Sequence, residues 1–271
     1  MINDLSGFGK CSLTAAIPVL NVQGVQACPL PTAVFSNQTG YPEYSYIDLT
    51  EKLPSFIEQW VKLGADFDGI LTGFVSDVKQ IEVIESFCNQ FKKDDTLLIV
   101  DPVMADNGKI YDAYSAELCE GVKKLAMKAD IITPNLTEFC VLTNSNYDEI
   151  ISCAYSEDIL NVISQRSQGL FNSGIKTVII TSVPVYEGKI SNCIINSEGR
   201  KTVSSKDFGG SYSGTGDLFA SVVCGSVVKG ESVYDAVCKA TRFLEASIGA
   251  TLCECTRPQD GICFESFLKL L

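Results

Sequence analysis

Short apolar runs rich in β-branched residues alternate with longer amphipathic segments along most of this chain, and that alternation restricts the folds open to it. The apolar runs are residues 69–72, 96–100, 129–133 and 176–183. Runs of this kind are typical of strands that are buried on both faces of a parallel sheet. The alternation therefore predicts an α/β fold, with a mostly parallel sheet covered by helices on both faces.

Helix starts and irregular segments refine this prediction. Three amphipathic segments follow a Ser or Thr that can serve as a helix N-cap, namely Thr50, Ser76 and Ser232. Residues 25–35 are β-rich around two prolines, and residues 189–204 have the pattern of a hairpin. We expect the last two segments to form short antiparallel strands at an edge of the sheet or in a flap.

The composition excludes several classes of function. The 271 residues suffice for one sizeable core and contain no linker or repeat, so a single domain spanning residues 1–271 is expected. The absence of His excludes His-dependent catalytic triads and zinc sites that need imidazole. The formal net charge of −12 argues against binding to nucleic acid, which depends on clustered Lys and Arg.

The 12 cysteines fit neither a metal site nor a disulfide framework. They are scattered through apolar stretches without a C-x-x-C spacing, and the only close pair is Cys253 and Cys255. The chain begins without the regions of a signal peptide, and it has no run of about 18 apolar residues. We expect reduced, mostly buried thiols in a cytoplasmic protein that does not enter a membrane.

The most informative segment is the glycine-rich stretch at residues 209–217, which precedes an apolar helix. Backbone N–H groups at such a helix start bind anions, and glycines let a phosphate approach the backbone. Asp217 falls in the first helical turn, where a carboxylate can take a proton from an attacking hydroxyl. The same residues could instead serve only tight packing and a favourable helix dipole, so this motif alone does not establish a function.

Polar side chains also follow three of the apolar runs. Asp101 and Asp106 come after residues 96–100, where a carboxylate can hold Mg²⁺ or its waters. Asn135 and Glu138 come after residues 129–133, and Thr181 and Ser182 lie at the end of the apolar stretch of residues 178–181. Asp101 could equally start a turn, and the Asn-x-x-Glu spacing also fits a capping box that needs no ligand. Because parallel strands end at one edge of a sheet, the arrangement predicts a ligand crevice there.

In their combined order these segments resemble the ribokinase superfamily and, within it, the pyridoxal (vitamin B6) kinase group. The resemblance covers nearly the whole chain, and it is carried by residues 3–9, 35–41, 71–74, 101–104, 133–138, 181–182 and 214–217. It implies a ribokinase-like three-layer α/β/α sandwich and a homodimeric, ATP-dependent kinase. The implied reaction is phosphorylation of the 5′-hydroxymethyl group of pyridoxal, pyridoxine or pyridoxamine. The resemblance implies Mg²⁺ with the ATP, and dependence on K⁺ is left open.

The resemblance also implies roles for individual residues. Asp217 matches the general base, and the anion hole is matched by Gly214, Thr215 and Gly216. The positions that match ATP-binding residues are Asp101, Asn135, Glu138, Thr181, Ser182 and Lys206. The positions that match metal-binding residues are Asp106 and Glu138. The positions that match the lining of the vitamin pocket are Asp4, Thr39, Phe74 and Asp217.

The departures from the family pattern lie in the expected vitamin pocket. Asp4 stands where many pyridoxal kinases carry Ser, Phe74 replaces a common Tyr, and Gln38 stands where His is frequent. Asp4 could hydrogen-bond a ring nitrogen or hydroxyl, favour an amine-bearing substrate, or simply cap a helix or turn. Residues 3–9 resemble a loop that follows a first strand, and only two residues precede them, so we expect the first strand to be truncated.

Three other functions stay open on the sequence. Residues 4–9 also resemble the start of hydroxymethylpyrimidine kinases of thiamine synthesis, which share the phosphoryl-transfer machinery. Another sugar or nucleoside kinase of the ribokinase type is disfavoured by the match at residues 35–41. A catalytically silent ligand-binding protein is disfavoured by the intact residues 214–217, since a binding module needs no base beside an anion hole.

Overall fold

The computed structural model describes residues 1–254 and 256–271, which form two compact units, Met1–Leu97 with Gly209–Leu271 and Leu98–Phe208. The strands are β1 (Ile2–Ser6), β2 (Leu30–Phe35), β3 (Tyr46–Asp48), β4 (Gly69–Thr72), β5 (Leu97–Val100), β6 (Ala105–Asp106), β7 (Lys109–Ile110), β8 (Ile131–Ile132), β9 (Thr177–Tyr186), β10 (Lys189–Asn196) and β11 (Gly199–Lys206). The α-helices are α1 (Ser12–Val22), α2 (Leu53–Lys62), α3 (Val78–Phe91), α4 (Ala116–Ala126), α5 (Leu136–Thr143), α6 (Tyr147–Ile151), α7 (Asp158–Phe171), α8 (Thr215–Val228) and α9 (Val233–Cys253). Two 3₁₀ helices follow, Pro258–Asp260 and Glu265–Leu270. The single domain expected from the sequence stays a prediction.

The first unit is built on the strand order β4-β1-β2-β3. β1 pairs in parallel with β2 and β4, and β3 pairs antiparallel to β2 at the edge. Ile2, Leu30 and Ala33 are buried, together with residues on the opposite face of the same strands, as expected for a sheet that is covered on both faces. On this framework α1 packs against α8 and α8 packs against α9. The unit therefore contains both the first strand and the helix that follows the glycine-rich segment.

The second unit has the strand order β5-β8-β9-β10-β11. β5, β8 and β9 are parallel, whereas β10 and β11 form an antiparallel hairpin that turns between Asn196 and Gly199. A separate two-stranded hairpin is formed by β6 and β7. The predictions of mostly parallel strands, of antiparallel strands at the edge and of a hairpin at residues 189–204 are confirmed.

The expected loop at residues 3–9 is wrong in its first half, because Ile2–Ser6 form β1. The first strand that was expected to be truncated is therefore made of residues assigned to the loop. Asn3 and Asp4 are buried in this strand, and their polar groups bond to other groups of the chain. A strand with such side chains carries no apolar run, so the sequence pattern missed it.

The antiparallel edge strand or flap expected at residues 25–35 is wrong in its placement, although β2 does pair antiparallel with β3 on one side. β2 lies between β1 and β3 and runs parallel to β1. Pro31 lies opposite Asn3, and the register of β1 shifts between Asn3 and Leu5. This irregularity lets the sheet accommodate a residue that has no backbone N–H, although prolines usually indicate an edge strand.

Only one of the three expected helix caps is in place. The Ser232 side chain accepts a hydrogen bond from the backbone N–H of Asp235 at the start of α9. α2 begins without a side-chain cap, so Thr50 is not its N-cap. Asp77 caps α3 in place of Ser76. Neighbouring Ser, Thr and Asp residues are all good caps, so the sequence alone does not distinguish them.

The cysteines follow the expectation of free and largely buried thiols. Among the described residues all eleven are free, and the buried ones are Cys11, Cys88, Cys119, Cys140, Cys193 and Cys224. Cys255 lies outside the described residues. Of the helices within residues 1–254 and 256–271, none combines the length and the apolar character that crossing a membrane requires.

The core of the first unit can be tested at Phe243, whose side chain is fully buried. We expect Phe243→Ala to lower the free energy of unfolding by about 3–5 kcal/mol, because it removes buried apolar area and leaves a cavity. Leu63 is 80% exposed, so Leu63→Ala is a control that should change the free energy of unfolding by less than about 0.5 kcal/mol. Urea unfolding followed by circular dichroism measures both, and equal losses in the two variants would contradict this placement of the core.

Candidate active site

The carboxylate of Asp217 lies in the first turn of α8, held between two donors of its own unit. Its Oδ1 accepts a hydrogen bond from Asn3 Nδ2 at 2.8 Å, and its Oδ2 accepts one from the backbone N–H of Ser12 at 2.8 Å. Burial raises the pKa of Asp217 to about 6, the two hydrogen bonds oppose the rise, and the nearby Asp4 adds to it. A carboxylate of this kind is ionised at neutral pH and can accept a proton.

Asp4 lies beside this base with both of its oxygens engaged. Its Oδ2 accepts a hydrogen bond from Ser6 Oγ at 2.9 Å, and its Oδ1 accepts one from Ser12 Oγ at 2.6 Å. Burial raises the pKa of Asp4, and the two hydroxyls oppose that rise. Asp4 is therefore bound by the chain's own hydroxyls, and the contact with a substrate ring stays a prediction.

The glycine-rich loop ends in a close backbone contact. Gly214 is the N-cap of α8 and has a φ of +82°, in the left-handed region. A Cβ atom at Gly214 would lie 1.9 Å from the carbonyl oxygen of Lys10. Thr215 donates its hydroxyl to the Tyr212 carbonyl at 3.0 Å, while Gly216 is exposed. The backbone N–H of Thr215 donates to the same Tyr212 carbonyl at 3.4 Å. The amides of a first helical turn have no partner within the helix, which is the property that an anion hole uses.

The residues predicted to line a substrate pocket are placed in different surroundings. Thr39 is exposed in the loop after β2. Phe74 follows β4, donates its backbone N–H to Asn3 Oδ1 at 2.9 Å, and packs edge-on against Phe35 with ring centroids 6.3 Å apart. Gln38 is buried and donates its side-chain amide to the Gln259 carbonyl at 2.9 Å. The structure therefore links Phe74, but not Thr39, to the residues around Asp217.

A surface cavity of about 520 Å³ in the same unit was not predicted. Its lining residues are Phe8, Asn37, Tyr41, Pro42, Glu43 and Arg257. Arg257 forms two hydrogen bonds with the carboxylate of Asp260, at 3.0 and 2.9 Å, and lies 5.7 Å from the centre of the Tyr41 ring. Tyr41 donates its hydroxyl to the same carboxylate. Asp260 thus joins the loop after β2 to the C-terminal segment, a long-range contact that no local sequence pattern indicates.

The second unit holds a pair of buried carboxyl groups. Asp101 accepts a hydrogen bond from Thr133 Oγ1 at 3.1 Å, directly after β5. Glu138 accepts backbone N–H bonds from Met104 at 3.1 Å and from Asn135 at 2.9 Å. Burial, and then the charge of Asp101, raise the pKa of Glu138 well above its usual value. A cation beside the pair would offset both effects.

The surroundings of α5 bring together part of the predicted nucleotide-binding set. Asn135 and Glu138 form the expected capping box, and Asn135 Nδ2 also donates to the Ala105 carbonyl at 2.8 Å. Asp106, in the β6–β7 hairpin, accepts a backbone N–H bond from Asn107 at 2.8 Å. Within the described chain no three His, Cys, Asp or Glu side chains cluster as metal ligands. The residues fit an ion such as Mg²⁺, which takes one or two carboxylates and completes its shell with water and phosphate.

Thr181, Ser182 and Lys206 lie at different places on the strands of this unit. Thr181 forms a parallel bridge with Asn135, so these two predicted residues are neighbours. Thr181 and Ser182 do not end a strand as expected, because β9 continues to Tyr186 after the parallel pairing stops. Ser182 has a φ of +56°. Lys206 ends β11, with its ammonium group 5.0 Å from the centre of the Phe208 ring.

The loop geometry can be tested at Gly214. We expect Gly214→Ala to lower the free energy of unfolding by several kcal/mol, because its Cβ meets the Lys10 carbonyl and its φ is left-handed. Gly230 follows the other end of α8 with a φ of +89° and nothing within 4 Å of an added Cβ. Gly230→Ala therefore carries only the backbone strain, about 1 kcal/mol. Thermal and urea unfolding compare the two, and equal losses would contradict the close contact.

Comparison with known proteins shows similarity along nearly the whole chain. The profile of the family described as phosphomethylpyrimidine kinase matches residues 9–257. A candidate phosphomethylpyrimidine kinase from Bacteroides thetaiotaomicron, in an orthorhombic crystal form with pyridoxal, is 39% identical; the match covers 99% of this chain and 93% of that one, with a TM-score of 0.91. The pyridoxal kinase of Lactobacillus plantarum is 28% identical, covering 99% and 94% of the chains, with a TM-score of 0.87.

A relative from a eukaryote agrees with these matches. The pyridoxal kinase of Dictyostelium discoideum is 26% identical over 85% of this chain and 76% of its own length. The predicted ribokinase-like α/β fold is confirmed, because the structural matches extend over nearly all residues. The family profile likewise covers far more than half of the sequence. The chain belongs to the phosphomethylpyrimidine kinase family.

Proposed function

We propose that this protein transfers the γ-phosphoryl group of ATP to the 5′-hydroxymethyl group of pyridoxal, pyridoxine or pyridoxamine. The observation that carries the proposal is the Asp217 carboxylate, held by two N–H donors in the first turn of the helix that follows the glycine-rich loop. Relatives named pyridoxal kinase, and a similar protein crystallised with pyridoxal, support this acceptor.

In the proposed reaction Asp217 is the general base. Its carboxylate takes the proton of the 5′-hydroxyl as the oxygen attacks the γ-phosphorus and ADP leaves. The amides of Gly214, Thr215 and Gly216 stabilise the negative charge on the phosphoryl oxygens during the transfer. Thr39, Phe74 and Asp4 are proposed to bind or orient the ring of the acceptor.

The nucleotide is proposed to bind to the second unit. ATP would contact Asp101, Asn135, Glu138, Thr181, Ser182 and Lys206. Asp106 and Glu138 would hold Mg²⁺, which supplies positive charge against the repulsion between the triphosphate and a chain of net charge −12. The buried pair of carboxyls, Asp101 and Glu138, supports a cation in this region, since burial and then the charge of Asp101 raise the pKa of Glu138.

The remaining features of the proposal concern the assembly and its environment. The eleven free cysteines of the described residues support a reducing compartment such as the cytoplasm. A homodimer is supported by the edge strand β3, where Tyr46 and Ile47 are 55% and 65% exposed. The proposal leaves open whether a K⁺ ion binds beside the nucleotide. Activity assays with and without K⁺ test this.

The second candidate function is phosphorylation of hydroxymethylpyrimidine, and the description of the matching family favours it. The two functions share the base and the anion hole and differ only in the acceptor. Release of ADP, measured with pyridoxal, pyridoxine, pyridoxamine and hydroxymethylpyrimidine at equal concentrations, separates them. We expect the highest kcat/KM with a B6 vitamer. If only the pyrimidine is phosphorylated, the second proposal replaces the first. If a ligand binds but no ADP is released from ATP with any of the four acceptors, the protein is a catalytically silent binding protein.

The role of Asp217 is tested by replacing it with its amide. We expect Asp217→Asn to lower kcat by at least about 100-fold with a much smaller change in the KM for the acceptor, because only the proton acceptor is lost. Asp235 lies in the first turn of α9 and is exposed, so Asp235→Asn is a control with the same substitution at the same helical position. Near-normal turnover by Asp217→Asn would remove this residue from the mechanism.

The pH dependence follows from the raised pKa of Asp217, which is about 6 and is caused chiefly by burial. A base acts in its ionised form, so kcat should be constant above this pKa and fall about tenfold for each pH unit below it. Steady-state rates between pH 4.5 and 8 measure the profile. The residual activity of Asp217→Asn should lack this acid limb, and an acid limb of the same midpoint in that variant would assign it to another group.

A further inference from the structure

We propose that Asn3 is a positioning residue that holds the Asp217 carboxylate in the orientation required to accept a proton from the acceptor hydroxyl. The inference rests on the proposed function in that it assigns Asp217 the role of base. Asn3 lies in β1, its side chain is 1% exposed, and its Nδ2 donates to Asp217 Oδ1 at 2.8 Å. Because Asn3 acts through its contact with the base, we assign it a positioning role.

The three hydrogen bonds of the Asn3 side chain define its orientation. Oδ1 accepts the backbone N–H of Asp4 at 2.9 Å and that of Phe74 at 2.9 Å, while Nδ2 faces the carboxylate of Asp217. A flipped amide would put an NH₂ group against two N–H donors and an oxygen against a carboxylate. Only one orientation satisfies all three partners, so the donor to Asp217 is fixed.

The packing around Asn3 leaves the amide no room to move away. A Cβ atom at Gly73 would lie 2.5 Å from Asn3 Nδ2, so the glycine after β4 leaves the space that the amide fills. On the other side of the carboxylate, Ser12 has a φ of +51° and directs its backbone N–H at Asp217 Oδ2. The carboxylate is thus held from both sides by donors that the backbone fixes.

Among the described side chains that face Asp217, Asn3 is the one that favours the ionised form of its carboxyl group. Asp4 from β1 adds negative charge, and Cys11, at the start of α1, has a thiol whose pKa is raised to about 12 by burial, then by Asp217 and Asp4. Cys11 is therefore a neutral thiol at physiological pH. Within residues 1–254 and 256–271, Asn3 gives the only side-chain hydrogen bond to Asp217, and it favours the charged form.

Two substitutions of Asn3 separate its donor from its acceptor. Asn3→Leu removes both, and we expect it to move the acid limb of kcat upward by about one pH unit, with a larger effect on kcat than on KM. Asn3→Asp keeps an oxygen for the N–H groups of Asp4 and Phe74, so its fold should be retained. A second carboxyl beside Asp217 shares one proton with it, so we expect a bell-shaped profile that declines where both ionise.

A matched control distinguishes positioning from a structural role. Gln80 is a fully buried amide of the same unit that donates to the Thr32 carbonyl and to Thr50 Oγ1, and accepts from the backbone N–H of Ser76. Gln80→Leu should lower stability as Asn3→Leu does, yet leave the acid limb unchanged. If the acid limb of kcat shifts as far in Gln80→Leu as in Asn3→Leu, the shift is caused by general destabilisation, and the proposal is overturned.

A second measurement does not depend on the substrate. Carboxyl ¹³C signals of labelled aspartates, titrated by NMR, give the pKa of Asp217, which is assigned by its absence in Asp217→Asn. We expect this pKa to rise in Asn3→Leu. If the unaltered protein phosphorylates no acceptor, the proposed function fails. The titration then still tests whether Asn3 lowers the pKa of Asp217. An unchanged pKa in folded Asn3→Leu, or an unchanged pH profile in folded Asn3→Asp, overturns the positioning role.

Discussion

The buried charge of Asp217 is the constraint on which the candidate site depends. A carboxylate that loses its water is costly unless donors replace that water, and here one amide and one backbone N–H do so. Supplying them requires Asn3 of β1 to lie beside the first turn of α8 and Ser12 to adopt a left-handed φ. It also requires Gly214, because a larger residue would push the start of α8 away from Lys10. The irregular features of the first unit thus serve one ionised group.

The chain uses a second buried acid in the opposite way. Asp217 has a hydrogen-bond donor on each of its oxygens, and these two bonds oppose the effect of burial, so its pKa rises only to about 6. Glu138 also accepts backbone N–H bonds, from Met104 and Asn135, but its burial and then the neighbouring charge of Asp101 raise its pKa well above its usual value. The first environment suits a group that is ionised and accepts protons at neutral pH. The second suits a group that becomes ionised when a cation binds.

The sequence was informative where local patterns carry the structure. The parallel strands, the hairpin at residues 189–204, the capping box at Asn135 and Glu138, and the position of Asp217 in a first helical turn all follow from spacing and residue type. β1 was missed because its buried polar residues are satisfied by groups far away in the sequence. Asn3 and the link between Tyr41 and Asp260 were missed for the same reason, since long-range hydrogen bonds leave no periodic signal.

The contact between Asn3 and Asp217 joins positions 214 residues apart. Because the chain leaves the ribosome from its N-terminus, β1 is synthesised long before α8, which carries Asp217. The polar groups of Asn3 and Asp4 then face water or other segments until α8 arrives. The base is therefore assembled only when nearly the whole chain has emerged, and a shortened product that folds in part cannot carry it.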